Sequence, residues 1–403
     1  MPVFSYKVRG ADGNTQAGTV EAESEELLRK RFEEQGLVLT EVTQVRRARK
    51  GAAGFGRVKL TSLSIFCRQF STMVDAGVSL VRCLDVLSEQ CNDAKLKRIL
   101  IDVGERVEGG ESLSRAMSRH PRAFSKLFIG LIRAGEVGGV LEESLQRLSH
   151  FLEKDVELRR KVRASLTYPT IVVVFALVVV IGLVVGVIPR FAELYKDLNI
   201  KEFPWGTQIL IDLSHSLISR WWLFVGILVA ILIAWKSFAS TRFGRRVIDR
   251  MKLKLPVFGP LHHKICLARF SRTMGTLLSS GVPILQAMET VAETVGNNIL
   301  ADAILEARAR IREGDRIGDP LEASGMFPPM VVHMIGVGEE SGSLDFMLQK
   351  IADFYEQEVD STIASLTSAI EPVLIVFLGV VVGFIVISLF MPLVKVIESL
   401  SSN

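Results

Sequence analysis

Apolar and polar positions along this chain fall into three regimes. From Thr61 to Arg163 the apolar residues recur at helical spacing. Phe66, Phe70, Met73 and Val74 form one stripe, Leu80, Cys83, Leu84 and Leu87 a second, and Leu96, Ile99, Leu100, Val103 and Val107 a third. Glycine, asparagine and proline break the pattern at Gly77, near Asn92, at Gly109-Gly110, at Pro121 and across Gly135–Gly139. The spacing predicts about six helices, the last carrying Leu141, Leu145, Leu148, Leu152 and Val156 toward a membrane. In the second regime the runs are apolar throughout. No charge occurs between Arg163 and Arg190 or between Glu371 and Lys395. About 20 apolar residues cross a bilayer core of about 30 Å, which predicts transmembrane helices over 168–189 and 371–394. Trp221–Trp235 is shorter. With Leu217 and Ile218 added and Arg220 and Lys236 snorkelling, it predicts a third span over 217–236, with Trp221, Trp222 and Trp235 at interfacial positions. A buried soluble helix is the alternative for a run of that length.

The third regime is alternation. Val3–Val8, Thr15–Ala22 and Leu37–Val45 read as strands, the first two joined at Asp12-Gly13. Ser24 can cap a helix running to Gln35, with Gly36 as its stop. Residues 1–45 therefore read as a small α+β module. Residues 46–60, basic and glycine-rich, read as a flexible linker that can also touch anionic lipid.

The helical regime occurs twice. Phe66, Arg68, Thr72, Gly77, Val78 and Glu89 match Phe270, Arg272, Thr276, Gly281, Val282 and Glu293 at an offset of 204 residues. Gly135-Glu136-x-x-Gly139-x-Leu141 matches Gly338-Glu339-x-x-Gly342-x-Leu344, and Pro169 and Pro189 match Pro372 and Pro392, at an offset of 203. An order of anchors kept through a polar part and into an apolar part is evidence of internal duplication. The second copy repeats the last stripe as Leu344, Leu348, Ile351, Tyr355 and Val359. The expected fold is mainly α: two homologous six-helix bundles, 61–165 and 237–368, three transmembrane helices and the N-terminal module.

Charge sets the expected orientation. Lys154, Arg159, Arg160, Lys161 and Arg163 precede the first span, and Arg242, Arg245, Arg246, Arg250, Lys252 and Lys254 follow the second. By the positive-inside rule both bundles and the N-terminus are cytoplasmic, and the 190–216 loop and the 395–403 tail are periplasmic. No leader pattern opens the sequence. A net charge of +4, with no aromatic-basic patch, gives no nucleic-acid signal. The four cysteines form no C-x-x-C pair and read as small buried apolar residues.

Candidate chemistry is sparse. There is no phosphate-binding G-x-x-x-x-G-K-[ST], no H-E-x-x-H, no His/Cys cluster at metal spacing and no G-x-S-x-G. The expectation is a non-enzyme without cofactor or metal. The repeated G-E-x-x-G-x-L has two readings. In the structural one, its first glycine ends a helix left-handed, its second relieves crowding, and Glu136 or Glu339 sits near a helix start. In the functional one, Gly135, Glu136, Gly139, Gly338, Glu339 and Gly342 form hinged partner contacts. Glu371, beside Pro372, is the ionisable residue bordering a span, either an interfacial residue or a polar contact within an assembly.

Taken together, R-x-x-x-T-x-x-x-x-G-V in both copies, both G-E-x-x-G-x-L turns, Leu166-Thr167-Tyr168-Pro169, Ile370-Glu371-Pro372 and Phe327-Pro328-Pro329-Met330 resemble the type II secretion system F family. That family includes the inner-membrane platform of type IV pilus assembly. The resemblance covers essentially the whole chain. It implies a bacterial inner-membrane scaffold, forming homo-oligomers, that couples a cytoplasmic assembly ATPase to the extraction of pilin subunits, beside other inner-membrane assembly proteins. The equivalent secretion platform, moving pseudopilins, is the alternative within the family. A transporter and a membrane-anchored signalling adaptor are the alternatives outside it. Pro169 and Pro372, near the expected cytoplasmic entries, allow kinks, and Gly182, Gly186, Gly379 and Gly383 allow close helix approach. The copies differ where Gly138-Gly139 stands against Ser341-Gly342, so the two bundles need not bind one partner.

Overall fold

The structure is a computed structural model that describes residues 3–9, 15–21, 38–45, 58–197, 204–256 and 258–401. The expected turn at Asp12-Gly13, the helix from Ser24 to Gln35 with its stop at Gly36, and nearly all of the basic linker lie outside the described residues. The chain divides into two compact units, Met1–Arg57 and Val58–Asn403.

The first unit contains the three strands expected from alternation: β1 (Val3–Arg9), β2 (Thr15–Glu21) and β3 (Val38–Val45). Their order is β2-β1-β3 with both pairings antiparallel, and the β1–β3 register shifts between Lys7 and Val8.

The second unit begins with a six-helix bundle: α1 (Leu60–Asp75), α2 (Leu80–Gln90), α3 (Ala94–Glu108), α4 (Leu113–Ser118), α5 (Lys126–Gly138) and the first turns of α6 (Leu141–Gly182). Its second copy is α11 (Phe258–Ser279), α12 (Ile284–Thr294), α13 (Asn298–Glu313), α14 (Gly318–Ala323), α15 (Pro329–Glu340) and the first turns of α16 (Leu344–Ser401). The stripes read from the sequence are the core. Phe66, Phe70, Leu84, Leu96 and Leu100 are buried in one copy, and Phe270, Met274, Leu277, Leu300 and Ile304 in the other. The two cores merge into one continuous cluster. Gly77 and Gly281 end α1 and α11 in the same way. Each has φ +78, and the Val78 and Val282 amides donate 3.0 Å bonds to the carbonyls of Met73 and Leu277. This closure satisfies the orphan carbonyls of a helix end and needs a residue without Cβ.

Bundle and bilayer are joined without a break. The helix α6 runs 42 residues, about 63 Å, and α16 runs 58 residues, about 87 Å. Pro169, Pro189, Pro372 and Pro392, at the ends of the expected spans, all lie inside helix. Ser165 and Thr167, one turn before Pro169, donate to the carbonyls of Lys161 and Arg163 at 3.0 and 2.9 Å. Where the surroundings hold a helix, proline removes one bond without ending it. A π-helical turn, Leu183–Val187, follows α6, and α7 (Ile188–Asp197) continues it. The segment expected as a 190–216 loop therefore carries α7 and most of α8 (Trp205–Ser219). Gly206, Thr207, Leu210 and Ser214 form the buried face of α8, and Leu210 joins Val184, Ile188, Ile385 and Leu389 in a small core between the far ends of α6–α7 and α16. Tyr195 and Thr207 hydroxyls donate to the Leu389 and Ser388 carbonyls.

Among the described residues, three helical stretches are long and apolar enough to cross a membrane, Leu141–Tyr195, Trp221–Ser240 and Leu344–Val394. The middle one, α9 (Trp221–Ser240), has no buried residue, so it is not a core helix of a soluble domain. Arg220 precedes it and α10 (Arg242–Lys254) follows it.

The left-handed glycines give a paired prediction. Gly77→Ala and Gly281→Ala should each destabilise the chain by about 1 kcal/mol. Gly130→Ala, inside α5 with nothing within 4 Å of the added methyl, should stabilise it by up to about 1 kcal/mol. Thermal unfolding of the three variants in one detergent checks both signs.

Candidate functional site

The two repeated motifs are joints between helices. In R-x-x-x-T-x-x-x-x-G-V the threonine donates back to the arginine carbonyl, Thr72 to Arg68 at 3.0 Å and Thr276 to Arg272 at 2.7 Å. The arginine reaches across to the long helix. Arg68 pairs with Glu153 of α6 at 3.0 Å. Arg272 pairs with Glu356 of α16 at 2.9 Å and with Asp353 at 2.6 Å. The Arg68 side chain is 65% exposed and that of Arg272 11%, so the same tie is superficial in one copy and internal in the other. Burial alone would lower the Arg272 pKa, but Asp353 and Glu356 outweigh it and hold the guanidinium charged.

The G-E-x-x-G-x-L residues adopt the reverse of the expected roles. Gly135 and Gly338 are buried in the last turn of α5 and α15, where a Cβ would lie 2.9 Å from Leu141 Cα or 3.0 Å from Leu344 Cα, so they let these helices press against the starts of α6 and α16. It is Gly139 and Gly342 that are left-handed, at φ +70 and +67, and they turn the chain into the long helices. Glu136 and Glu339 lie near the ends of their own helices and reach the start of another. Glu136 Oε2 accepts from the Ser114 amide at 3.1 Å, and Glu339 Oε2 accepts from the Ile317 amide at 2.9 Å. Each carboxylate caps the short α4 or α14, where orphan amides and the helix dipole favour negative charge.

The two copies meet along a seam that sequence reading missed. Lys126 pairs with Glu293 at 2.6 Å, Lys161 with Asp360 at 2.8 Å, and Arg269 with Asp155 at 3.6 Å. The Arg147 guanidinium donates to the Ser279 carbonyl. Leu158 and Val162 of α6 pack on Leu261, Val359 and Ile363 of the second copy. None of these pairs repeats at the internal offset, so duplication gave no signal for them. The Arg68–Glu153 and Arg272–Glu356 ties do repeat, and their glutamates could have been found by extending the comparison of copies.

Farther along, Pro169 is buried within α6, whereas Glu371 and Pro372 are exposed on α16. Glu371 makes no ion pair or hydrogen bond among the described residues. A Cβ at Gly182, Gly186, Gly379 or Gly383 would meet nothing within 4 Å, so these glycines do not serve close packing within the chain.

The seam and joints are made of ion pairs, helix caps and apolar packing. Cys266 Sγ lies 3.8 Å from His262 Nε2, but burial pushes that thiol up to about 11, the wrong direction for a nucleophile. Cys67 and Cys83 are also buried, as expected, whereas Cys91 is only partly buried. No group of three metal-ligating side chains occurs among the described residues.

Similarity to known proteins follows the same divisions. Residues 66–189 and 270–392 match the family described as type II secretion system (T2SS), protein F, and residues 1–43 match its N-terminal domain. The chain is similar to the type IV pilus assembly protein PilC of Thermus thermophilus, 43% identical with 100% of each chain covered. It is 41% identical to the Myxococcus xanthus protein of the same name, over 97% of this chain and 94% of the other. The type II secretion system protein F of Vibrio cholerae is 34% identical, with 98% of each covered.

The unequal burial of the repeated arginine sets an expected asymmetry. Arg272→Gln strands two carboxylates beside a buried stem and should cost about 2 kcal/mol or more, whereas Arg68→Gln should cost under about 1 kcal/mol. Denaturant unfolding of both variants, compared midpoint for midpoint, checks the order.

Proposed function

The chain belongs to the type II secretion system protein F family, and from that premise we propose that it is the inner-membrane platform of a type IV pilus assembly machine. The observation that carries the reading is its end-to-end likeness to a pilus assembly protein. In this reading both bundles and the N-terminal module face the cytoplasm, the spans lie in the bacterial inner membrane, and the chain assembles as a closed homo-oligomer. It is not an enzyme. A cytoplasmic assembly ATPase supplies the force, and other inner-membrane assembly proteins complete the machine.

The geometry supplies the coupling element. A push on either bundle acts on a rigid helix continuous with a membrane span, and the Arg68 and Arg272 ties fix each bundle to that helix. The seam formed by Leu158, Val162, Val359 and Ile363 makes the two helices move as a pair. Pilin helices dock on the open faces carrying Gly182, Gly186, Gly379 and Gly383, where no intramolecular neighbour fills the space. The secretion reading keeps this mechanism and replaces pilins by pseudopilins.

Isolation of the full chain from native membranes in mild detergent should recover a hexameric assembly ATPase together with pilins. Recovery with pseudopilins would move the assignment to secretion, and recovery of neither under conditions that keep the complex intact would sink it. Leucine at Gly182, Gly186, Gly379 and Gly383 should reduce fibre number by about ten-fold at unchanged protein level. Normal fibres in all four variants would remove the docking faces from the scheme.

A further inference from the structure

The helix α10 precedes both the second copy's matched region, which starts at residue 270, and the second bundle, and its position is fixed from two sides. Behind it, α9 is 20 residues long, about 30 Å, which is the thickness of a bilayer core. One residue, Thr241, separates the two helices; its Oγ1 accepts from the Gly244 amide at 2.9 Å. Gly244 is so close under the end of α9 that a methyl there would collide with the Phe238 carbonyl oxygen. This corner puts the first turn of α10 at headgroup level. On its inner face Asp249, buried, accepts from the Asn298 amide at 3.2 Å and from Asn298 Nδ2 at 2.6 Å. Asn297 Nδ2 donates to the Asp249 carbonyl at 3.1 Å. The helix is thereby held against the second bundle.

Its outer face mixes two kinds of side chain. Phe243, Val247 and Met251 recur every fourth residue, and so do Arg246, Arg250 and Lys254 beside them, so all six share one side. Phe243 is 74% exposed and Met251 53%. With Ile299 and Asp302 of α13 they line a groove of about 640 Å³. Asp302 occupies Arg246 at 3.1 Å, while Arg250 and Lys254 have no carboxylate partner among the described residues. Orientation of a membrane protein needs only positive charge in the connection. It does not need cations sharing a groove with a phenylalanine and a methionine.

We propose that this groove binds an anionic phospholipid. The headgroup phosphate sits among Arg246, Arg250 and Lys254, and the upper acyl chain lies along Phe243, Val247 and Met251. A basic helix with an apolar face lying at the interface is the arrangement that anionic membranes attract. The covalent connection to a span keeps it there, which favours a lipid over an acidic segment of another protein.

The test is hydrogen exchange of the full chain in nanodiscs of phosphatidylcholine alone and of phosphatidylcholine with phosphatidylglycerol. Exchange over 243–254 should slow by about ten-fold with the anionic lipid, and Arg246→Gln/Arg250→Gln/Lys254→Gln should abolish the difference. Unchanged exchange of α13 in that variant shows that it is folded. Equal exchange of the unaltered protein in the two lipids would overturn the proposal. So would the same protection produced by inorganic phosphate in neutral discs, or protection that appears only when cytoplasmic partner proteins are added. These experiments do not depend on whether the chain serves pili or secretion.

Discussion

Everything in this molecule depends on the backbone's intolerance of unpaired amides and carbonyls in hydrocarbon. A chain that must enter a bilayer from a folded bundle has one economical solution, to keep the helix going. In α6, continued by the π-helical turn and α7, and in α16, the helical hydrogen-bond ladder begins inside a bundle and ends beyond the apolar run. The soluble and membrane parts therefore share a secondary-structure element, not a linker. Bending between them means breaking bonds where no water replaces them. Each bundle is packed on its long helix through the shared core, with Leu145, Leu148 and Leu152 in one copy and Leu348, Ile351 and Tyr355 in the other, and the buried Arg272 tie adds to the second.

Duplication supplied two such bundles, and the copies have since come to differ. The joints are alike down to individual bonds. Glu136 and Glu339 cap equivalent short helices, and Gly139 and Gly342 turn the chain at the same place. What differs is the setting. The second copy is held by α10 and carries its arginine tie in the interior, while the first keeps its tie near solvent. The contacts joining the copies use residues outside the shared pattern, as a contact between two unlike faces must.

Much of this was legible from order and spacing. The stripes through Phe66, Leu84 and Leu100 are core residues because a helix with one apolar face has to bury it. Helix ends fall at Gly77 and Gly139 because left-handed backbone selects glycine. Three things were not legible. The expected span 168–189 already held Pro169 and Pro189, but nothing in the spacing showed that helix runs on past Pro189 through α7 where a loop was expected. The two glycines of G-E-x-x-G-x-L exchanged roles because crowding at Gly135 comes from Leu141 and Ser144 of the next helix, and sequence does not show which turn it presses on. Lys161–Asp360 and Lys126–Glu293 join residues far apart in the chain, and nothing local marks one surface lysine from another.

The π-helical turn at Leu183–Val187 carries a consequence for symmetry. A turn closed by i→i+5 bonds takes up about one residue more than an α-helical turn, and one residue is about 100° of azimuth. Pro189 and Pro392 stand equally far along the sequence from Pro169 and Pro372, yet α16 is α-helical throughout its own interval. Two screws of equal pitch, one with a skipped thread, advance together and point differently. On the far side of the apolar layer the two long helices therefore present their equivalent positions at different azimuths, so the duplicated sequence does not give a two-fold repeated surface there.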